Sequence, residues 1–220
     1  MATHGDLLAA IRERNEGRVA EILKAEPNLA SARPTDGPSA MLFATYMGVA
    51  PVIALVRARV EPDACEAAAL GDMPALTALL KKKENANARS GDGWTALHLA
   101  GFFGKRDAVT LLLKHGASVS AVAGTPDRNQ PLQASISGAC DLVILTALIG
   151  AGADVNHAGA SGITPLHSAG ARGNLDAIRL LGNAGANADV RMTDGRTPWD
   201  LAQERQHPEA AKLLREMAGG

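Results

Sequence analysis

The sequence predicts an all-α solenoid in which short helix pairs stack in chain order. A nine-residue pattern recurs along the chain, and most of its copies lie about 33 residues apart. A glycine recurs at a fixed distance after the start of that pattern. The chain is rich in alanine, leucine and glycine and has two Trp, one Tyr and three Phe. Such a composition suits thin helices that bury their apolar faces only by stacking on their neighbours.

The recurring pattern begins with a turn, passes through Thr and a small residue or proline, and enters an apolar helix. It is clearest at 92–100, 161–169 and 194–202. The residue after the Thr-Pro step is a convenient reference position, and its copies fall at Leu7, Met41, Ala64, Leu97, Leu132, Leu166 and Trp199. Five of the six intervals between these positions span 33 to 35 residues, and the second spans 23. The chain therefore contains seven units, with a short second one.

These motifs resemble those of the ankyrin-repeat family over essentially the whole chain. The segment 164–167 (Thr-Pro-Leu-His) matches the family signature in full, and 116–120 and 152–156 match its usual loop ending. The resemblance implies one domain over 1–220, an ankyrin-repeat solenoid of helix-turn-helix units with short β-hairpin loops. The approximate bounds of the units are 4–35, 36–62, 63–91, 92–124, 125–158, 159–191 and 192–220.

Each unit carries local signals for two helices and a turn. Thr or Ser supplies an N-cap before the first helix, and Pro in the first turn loses no hydrogen bond. A glycine such as Gly104 ends that helix, and an apolar run such as 109–113 forms the second. Asp-Gly pairs at 36–37, 92–93 and 194–195 mark the tips of hairpin fingers between units. Polar residues in the first and last units predict solubilising caps.

Two units depart from the period. Between Met41 and Ala64 about ten residues are missing, so no finger is expected there. This is either the loss of a loop at a tolerated place or a gap that opens the binding side. The fifth unit has one additional residue before Gly152, which is either a bulge in one of its helices or drift without consequence.

The resemblance also predicts which side chains line the concave surface. In ankyrin repeats, the residues five and six positions after the reference lie late in the first helix and point into the groove. Aromatic, Met and Arg side chains are the usual anchors of an interface. At least one of the two adjacent phenylalanines is expected to face the groove, although both could instead pack as core. The predicted binding residues are Tyr46, Met47, Leu70, Phe102, Phe103 and Arg172.

No pattern predicts catalytic residues, a metal site or a cofactor. His98 and His167 occupy the signature position, where the family uses histidine to hydrogen-bond within and between units. The other histidines have no repeated spacing, and neither Cys-x-x-Cys nor His-Glu-x-x-His occurs.

Charge and hydropathy narrow the class of partner. With 22 basic and 23 acidic residues, the chain has no field that would recruit nucleic acid or an anionic membrane. Its apolar runs are too short to cross a bilayer, and its first residues do not resemble a secretory signal. Cys65 and Cys140 are predicted to be reduced thiols inside helices, which favours a cytoplasmic location.

Two functions follow as hypotheses. The first is a scaffold that binds a protein partner through its concave helix face and hairpin fingers. The alternative is a small-molecule-binding or atypical enzymatic protein, with an apolar pocket near the short second unit for an apolar ligand. Catalysis there would rest on isolated groups such as Tyr46, Cys65 or Asp63. A closed pocket near Tyr46 and Cys65 would favour the alternative, and an open, shallow groove would disfavour it.

Overall fold

The computed structural model describes residues 1–82 and 85–219, which form fourteen α-helices arranged as seven pairs. This confirms the predicted all-α solenoid. The helices are α1 (His4–Arg12), α2 (Glu16–Ala25), α3 (Ala40–Tyr46), α4 (Ala50–Arg57), α5 (Ala64–Leu70), α6 (Met73–Lys81), α7 (Ala96–Phe102), α8 (Arg106–Lys114), α9 (Pro131–Ser137), α10 (Leu142–Gly150), α11 (Pro165–Ala171), α12 (Leu175–Asn183), α13 (Pro198–Glu204) and α14 (Pro208–Ala218).

The helices form two layers. The odd-numbered helices contact one another in chain order from α1 to α13, and the even-numbered helices form the second layer. Within the second layer, the contact between α4 and α6 is the weakest. Among the described residues, no helix has both the length and the apolar character that crossing a bilayer requires.

The first helix of most units begins at a capping box. The side chains of Thr3, Asp63, Thr95, Thr164 and Thr197 accept a hydrogen bond from the backbone N–H three residues later, and the side chain of that later residue accepts one from the backbone N–H of the cap. Two orphan donors of each helix are thereby satisfied. The starts of these helices are thus encoded locally.

The additional residue of the fifth unit lies in a turn, which excludes the alternative of a helical bulge. In the fourth unit, α7 is followed by Gly104 at φ 67°, nine positions after its cap Thr95. In the fifth unit, the equivalent positive φ of 50° belongs to Cys140, ten positions after Gln130. Cys140 therefore lies between α9 and α10 and not within a helix.

Hydrogen bonds close four hairpin fingers and join them in a row. Within the fingers, the bonded backbone pairs are Ser90–Trp94, Ala123–Asn129, Gly159–Ile163 and Met192–Arg196, each 2.8 Å from N to O. Bonds between neighbouring fingers run from Gly124 N to Gly93 O, from Ala160 N to Asp127 O and from Thr193 N to Ser161 O. Among the described residues the fingers contain a single isolated β-bridge, between Arg89 and Thr95. They are too short for a ladder of strands.

The buried apolar residues form two clusters. One contains the buried residues of the first two units, from Leu7 to Val56. The other runs from the third unit to Leu214 and reaches back only to Leu42. The boundary lies at the short second unit, where α4 and α6 also have little contact. Polar contacts therefore contribute strongly to the packing of the second unit against the third.

Candidate functional site

The signature histidines act as structural links. The Nδ1 atom of His98 lies 2.7 Å from Thr95 Oγ1, and its Nε2 atom lies 3.0 Å from the carbonyl oxygen of Asn129 in the next unit. His167 makes the same two contacts with Thr164 and with the carbonyl of Arg196. Burial lowers the pKa of His98 to about 4 and also lowers the pKa of His167. Both rings are neutral at pH 7, and both nitrogen atoms of each ring are engaged in contacts that stabilise the fold.

Counted from the N-cap, Glu66 stands at this position in the third unit, three residues after Asp63 as His98 is three residues after Thr95. Its contacts run toward the preceding residues of the chain. Glu66 is 1% exposed and accepts hydrogen bonds from Ser39 Oγ and from Arg33 Nη2, the latter at 2.8 Å. Ser39 belongs to the second unit and Arg33 to the end of the first, so both donors precede Glu66 in the chain. An ionised carboxylate only accepts hydrogen bonds, so Glu66 cannot donate to the following unit as His98 does. The polar bridge of Glu66, Ser39 and Arg33 joins the two apolar clusters, together with an ion pair between Arg57 and Asp72.

We expect Glu66→Gln to gain stability relative to the natural chain as the pH rises. Burial, with a smaller contribution from Asp63, raises the pKa of Glu66 above its ordinary value of 4.5. A carboxyl with a raised folded-state pKa contributes its full stability below pH 4.5, and that contribution is lost as the pH rises through the raised pKa. The glutamine side chain of the variant stays neutral and loses nothing. Urea unfolding of both proteins at pH 4.5 and pH 7.5 measures this difference.

The matched control is Glu66→Ala. It leaves Ser39 and Arg33 without their acceptor, so we expect it to be about 2 kcal/mol less stable than Glu66→Gln at both pH values. A stability difference between Glu66→Gln and the natural chain that stays constant or falls with pH would contradict the assigned role of Glu66.

The segments that flank the missing finger are in direct contact at one point. Gly91, in the finger before α7, packs directly on the segment before α3. A Cβ atom on Gly91 would lie 1.8 Å from the carbonyl oxygen of Pro34 and 2.5 Å from that of Gly37. Glycine is required here because two backbones meet. With the intervening finger absent, the flanking segments touch at Gly91, and an open groove remains between their tips.

The cavity found near the second unit does not match the apolar pocket of the alternative hypothesis. The cavity at this place has a volume of about 10 Å³, enough for at most one water molecule. Arg33, Ser39 and Glu66 are among its lining residues, so its wall is strongly polar. The contact between Gly91 and Pro34 and the buried bridge of Glu66, Ser39 and Arg33 leave no room for a ligand in this cavity.

The isolated groups considered for catalysis also have structural partners. Burial raises the pKa of Cys65, which keeps its sulfur in the unreactive thiol form. Asp63 caps α5 and pairs with Arg33. Among the described residues, no three His, Cys, Asp or Glu side chains come together in a way that could hold a metal ion.

An aromatic cluster lies on the first-helix layer and consists of Tyr46, Trp94, Phe102 and Phe103. The ring centroids of Tyr46 and Phe103 are 5.5 Å apart, those of Phe102 and Phe103 are 5.2 Å apart, and those of Trp94 and Phe102 are 5.6 Å apart. All four side chains are half-buried, so each keeps part of its ring at the surface. Both adjacent phenylalanines are therefore partly accessible. Four of the six aromatic residues of the chain meet at this one place.

The cluster crosses the third unit, because Tyr46 is on α3 whereas both phenylalanines are at the end of α7. The intervening helix α5 has alanine at 67, 68 and 69, and these small residues leave room for a ring to reach across. The Tyr46 hydroxyl donates a 2.7 Å hydrogen bond to Asp92 in the finger before α7. Burial and the Asp92 carboxylate raise the pKa of Tyr46, so the hydroxyl stays a donor. This bond fixes the ring against the finger.

The other three predicted binding residues lie apart from the aromatic cluster. Met47 is half-buried at the end of α3. Leu70 packs against the apolar cluster of the first two units. Arg172 donates to the carbonyl oxygens of Ser137 and Gly138 at 3.0 and 3.1 Å.

Sequence reasoning missed Trp94 and Asp92 as members of this surface. Trp94 offered a signal, because tryptophan is scarce in the chain and this one directly precedes the N-cap Thr95. Asp92 offered none, since its Asp-Gly pair already has a sufficient explanation as a turn.

A family model described as ankyrin repeats (3 copies) matches residues 64–156 and 132–219. These matches cover well over half of the chain, which therefore belongs to the ankyrin-repeat family. The chain is 38% identical over 118 residues to cyclin-dependent kinase inhibitor 2A of Homo sapiens, covering 53% of this chain and 73% of that protein. It is 37% identical over 130 residues to cyclin-dependent kinase 4 inhibitor B of Bos taurus, covering 59% and 96%.

Tyrosine-protein kinase HTK16 of Hydra vulgaris is another relative. It is 34% identical over 125 residues, which are 57% of this chain but only 16% of the kinase. The chain thus resembles a small part of that much longer protein.

Proposed function

We propose that this chain is a protein-interaction scaffold whose partner docks on the aromatic cluster and on the neighbouring finger tips. The observation that carries the proposal is the concentration of Tyr46, Trp94, Phe102 and Phe103 at one half-buried place in a chain otherwise poor in aromatic residues. Partly exposed aromatic side chains contribute much of the binding energy at protein interfaces. Two of the relatives are named as inhibitors of cyclin-dependent kinases, so their named action is on another protein.

The finger tips add a polar rim to this surface. An open groove of about 660 Å³ lies between the tips at 35–38, 89–93 and 124–126, next to Asp92. Backbone groups and the side chains of Asp36 and Arg89 line it, which suits hydrogen bonds from a partner. We further propose that binding takes place in the cytoplasm, where Cys65 and Cys140 would remain the free thiols that they are here.

We expect Phe103→Ala to weaken binding of the partner about 30-fold, because truncation of a central aromatic anchor costs about 2 kcal/mol. The natural chain and the variant serve as baits for affinity capture, and proteins that depend on Phe103 are identified by quantitative mass spectrometry. The affinity of each purified candidate for both baits is then measured by calorimetry.

The matched control is Thr110→Ala, an exposed residue on α8 in the second helix layer. It should retain every partner. Circular dichroism and the thermal midpoint show whether Phe103→Ala keeps the fold. Equal affinity of all captured partners for the natural chain and for a folded Phe103→Ala variant would contradict the proposal.

A further inference from the structure

A second hollow lies at the last two units, on the same helix layer as the aromatic cluster. Its volume is about 240 Å³, which is below the range typical of pockets for drug-sized ligands and suits one large side chain. Four apolar residues form much of its wall, and polar groups surround them. The lining residues are Ile163, Ala171, Met192 and Leu201, with His167, Ser168, Arg196, Glu204 and Arg205.

The charges around this hollow are unbalanced toward the positive. Arg196 is paired with Asp194 at 2.7 Å and with Glu204 at 2.8 Å, so its charge is compensated. Arg205 is exposed and, within the described part of the chain, has no carboxylate at ion-pair distance. Arg172 directly follows Ala171 and is held against the carbonyl oxygens of Ser137 and Gly138. Arg205 thus lines the apolar hollow without a carboxylate partner, whereas the guanidinium group of Arg172 lies at the fifth unit.

Between the hollow and the aromatic cluster, the Arg172 side chain lies against the end of α9. The residues at the end of α9 are Ser137 and Gly138, which present little or no side chain. Helices pack about 8–10 Å apart, so the three steps from α7 to α13 span ~24–30 Å. An extended peptide covers this distance with about eight residues. One short segment of a partner can therefore reach both places.

We propose that this hollow binds a large apolar side chain of the protein partner, next to which the partner carries a carboxylate that pairs with Arg205. The carboxylate lies within one or two residues of the apolar anchor. The charge complementarity identifies an acidic segment, because a basic segment would place a like charge beside the unpaired guanidinium group of Arg205. This inference rests on the proposed function and specifies the chemistry of the partner at the far end of the same surface.

The test uses random 12-residue peptides displayed on phage and selected against the full chain. We expect enriched peptides to place Leu, Ile, Met or Phe within two residues of Asp or Glu. The affinity of the synthetic peptides, measured by fluorescence polarisation, should fall at least tenfold for Arg205→Glu. It should also fall for Ala171→Trp, which fills the hollow. The matched control is Arg179→Glu, an exposed arginine on α12, which should stay within twofold of the natural chain.

Several outcomes would overturn the proposal. These are enriched peptides without a carboxylate, failure to enrich any peptide, or unchanged affinity for Arg205→Glu, whose exposed side chain makes the variant safe for folding. Binding of N-acetylleucine as tightly as the selected peptides would mean that the hollow takes a small acid instead. Peptides weakened by Phe103→Ala but not by Arg205→Glu would remove this inference and leave the proposed function. Peptides weakened only by Arg205→Glu would support the hollow and count against the aromatic cluster.

Discussion

Replacing His98 by glutamate is expected to destabilise the chain by about 3–5 kcal/mol, the cost of leaving a buried charge uncompensated. His98 is fully buried, and its Nε2 atom lies 3.0 Å from the carbonyl oxygen of Asn129. A glutamate would set an oxygen that can only accept against a carbonyl that can only accept. Arg89 already donates hydrogen bonds to the carbonyl oxygens of Gly93 and Val122, so it does not offset the new charge. Urea unfolding at pH 7.5 measures the loss.

The control is His98→Gln, which should cost no more than about 1 kcal/mol. The fifth unit already uses this solution, because Gln133 Nε2 donates a 2.7 Å hydrogen bond to the carbonyl of Ile163 in the next unit. Equal losses for the Glu and Gln variants would show that ring shape, and not donor capacity, determines the residue at this position.

The difference in stability between the natural chain and the His98→Gln variant is also expected to depend on pH. The folded-state pKa of His98 is about 4 against an ordinary 6.5, so the neutral ring contributes stability above pH 6.5 that is lost as the pH falls toward 4. The glutamine side chain of the variant does not titrate. The stability of the natural chain minus that of the variant should therefore decrease between pH 7.5 and pH 5. A constant difference would contradict the burial of a neutral His98.

The local parts of this fold were predictable because short stretches of sequence encode them. Thr95 and Thr164 cap their helices from positions that the repeated pattern marks, and the Asp-Gly pair at 92–93 forms the tip of a finger as expected. Each of these features depends on a few neighbouring residues. The concentration of aromatic residues on the first helices was also visible in the sequence.

Contacts across units were not predictable in the same way. Tyr46 reaches Phe103 over a whole unit because α5 offers alanines, and Gly91 meets Pro34 because an intervening finger is missing. Both contacts depend on how neighbouring units pack against each other. The spacing of residues along the sequence does not specify this packing. The turn of the fifth unit was hidden for another reason. Its positive φ belongs to Cys140, where the other units led us to look for glycine.

The second large effect is expected in the same turn, where Gly138→Ala should lower the free energy of unfolding by about 3 kcal/mol. A Cβ atom on Gly138 would lie 2.1 Å from the carbonyl oxygen of Phe102 and 2.7 Å from its carbonyl carbon. Both are backbone atoms, so no side chain can yield. The fourth and fifth units would have to separate, which would stretch the 2.9 Å hydrogen bond from Ala139 N to the same carbonyl oxygen.

The control for this change is Gly150→Ala at the end of α10, where a Cβ atom would meet nothing within 4 Å. Alanine favours a helix over glycine, so this variant should be as stable as the natural chain or up to about 1 kcal/mol more stable. Thermal unfolding separates the two outcomes, since ~3 kcal/mol corresponds to roughly 6–12 °C for a chain of this size. Gly138→Ala should also alter the near-ultraviolet dichroism of the aromatic cluster, because the displaced backbone belongs to Phe102. If Gly138→Ala matched Gly150→Ala in both measurements, the close approach of the two units would be refuted, and with it the support that positions Phe102 for a partner.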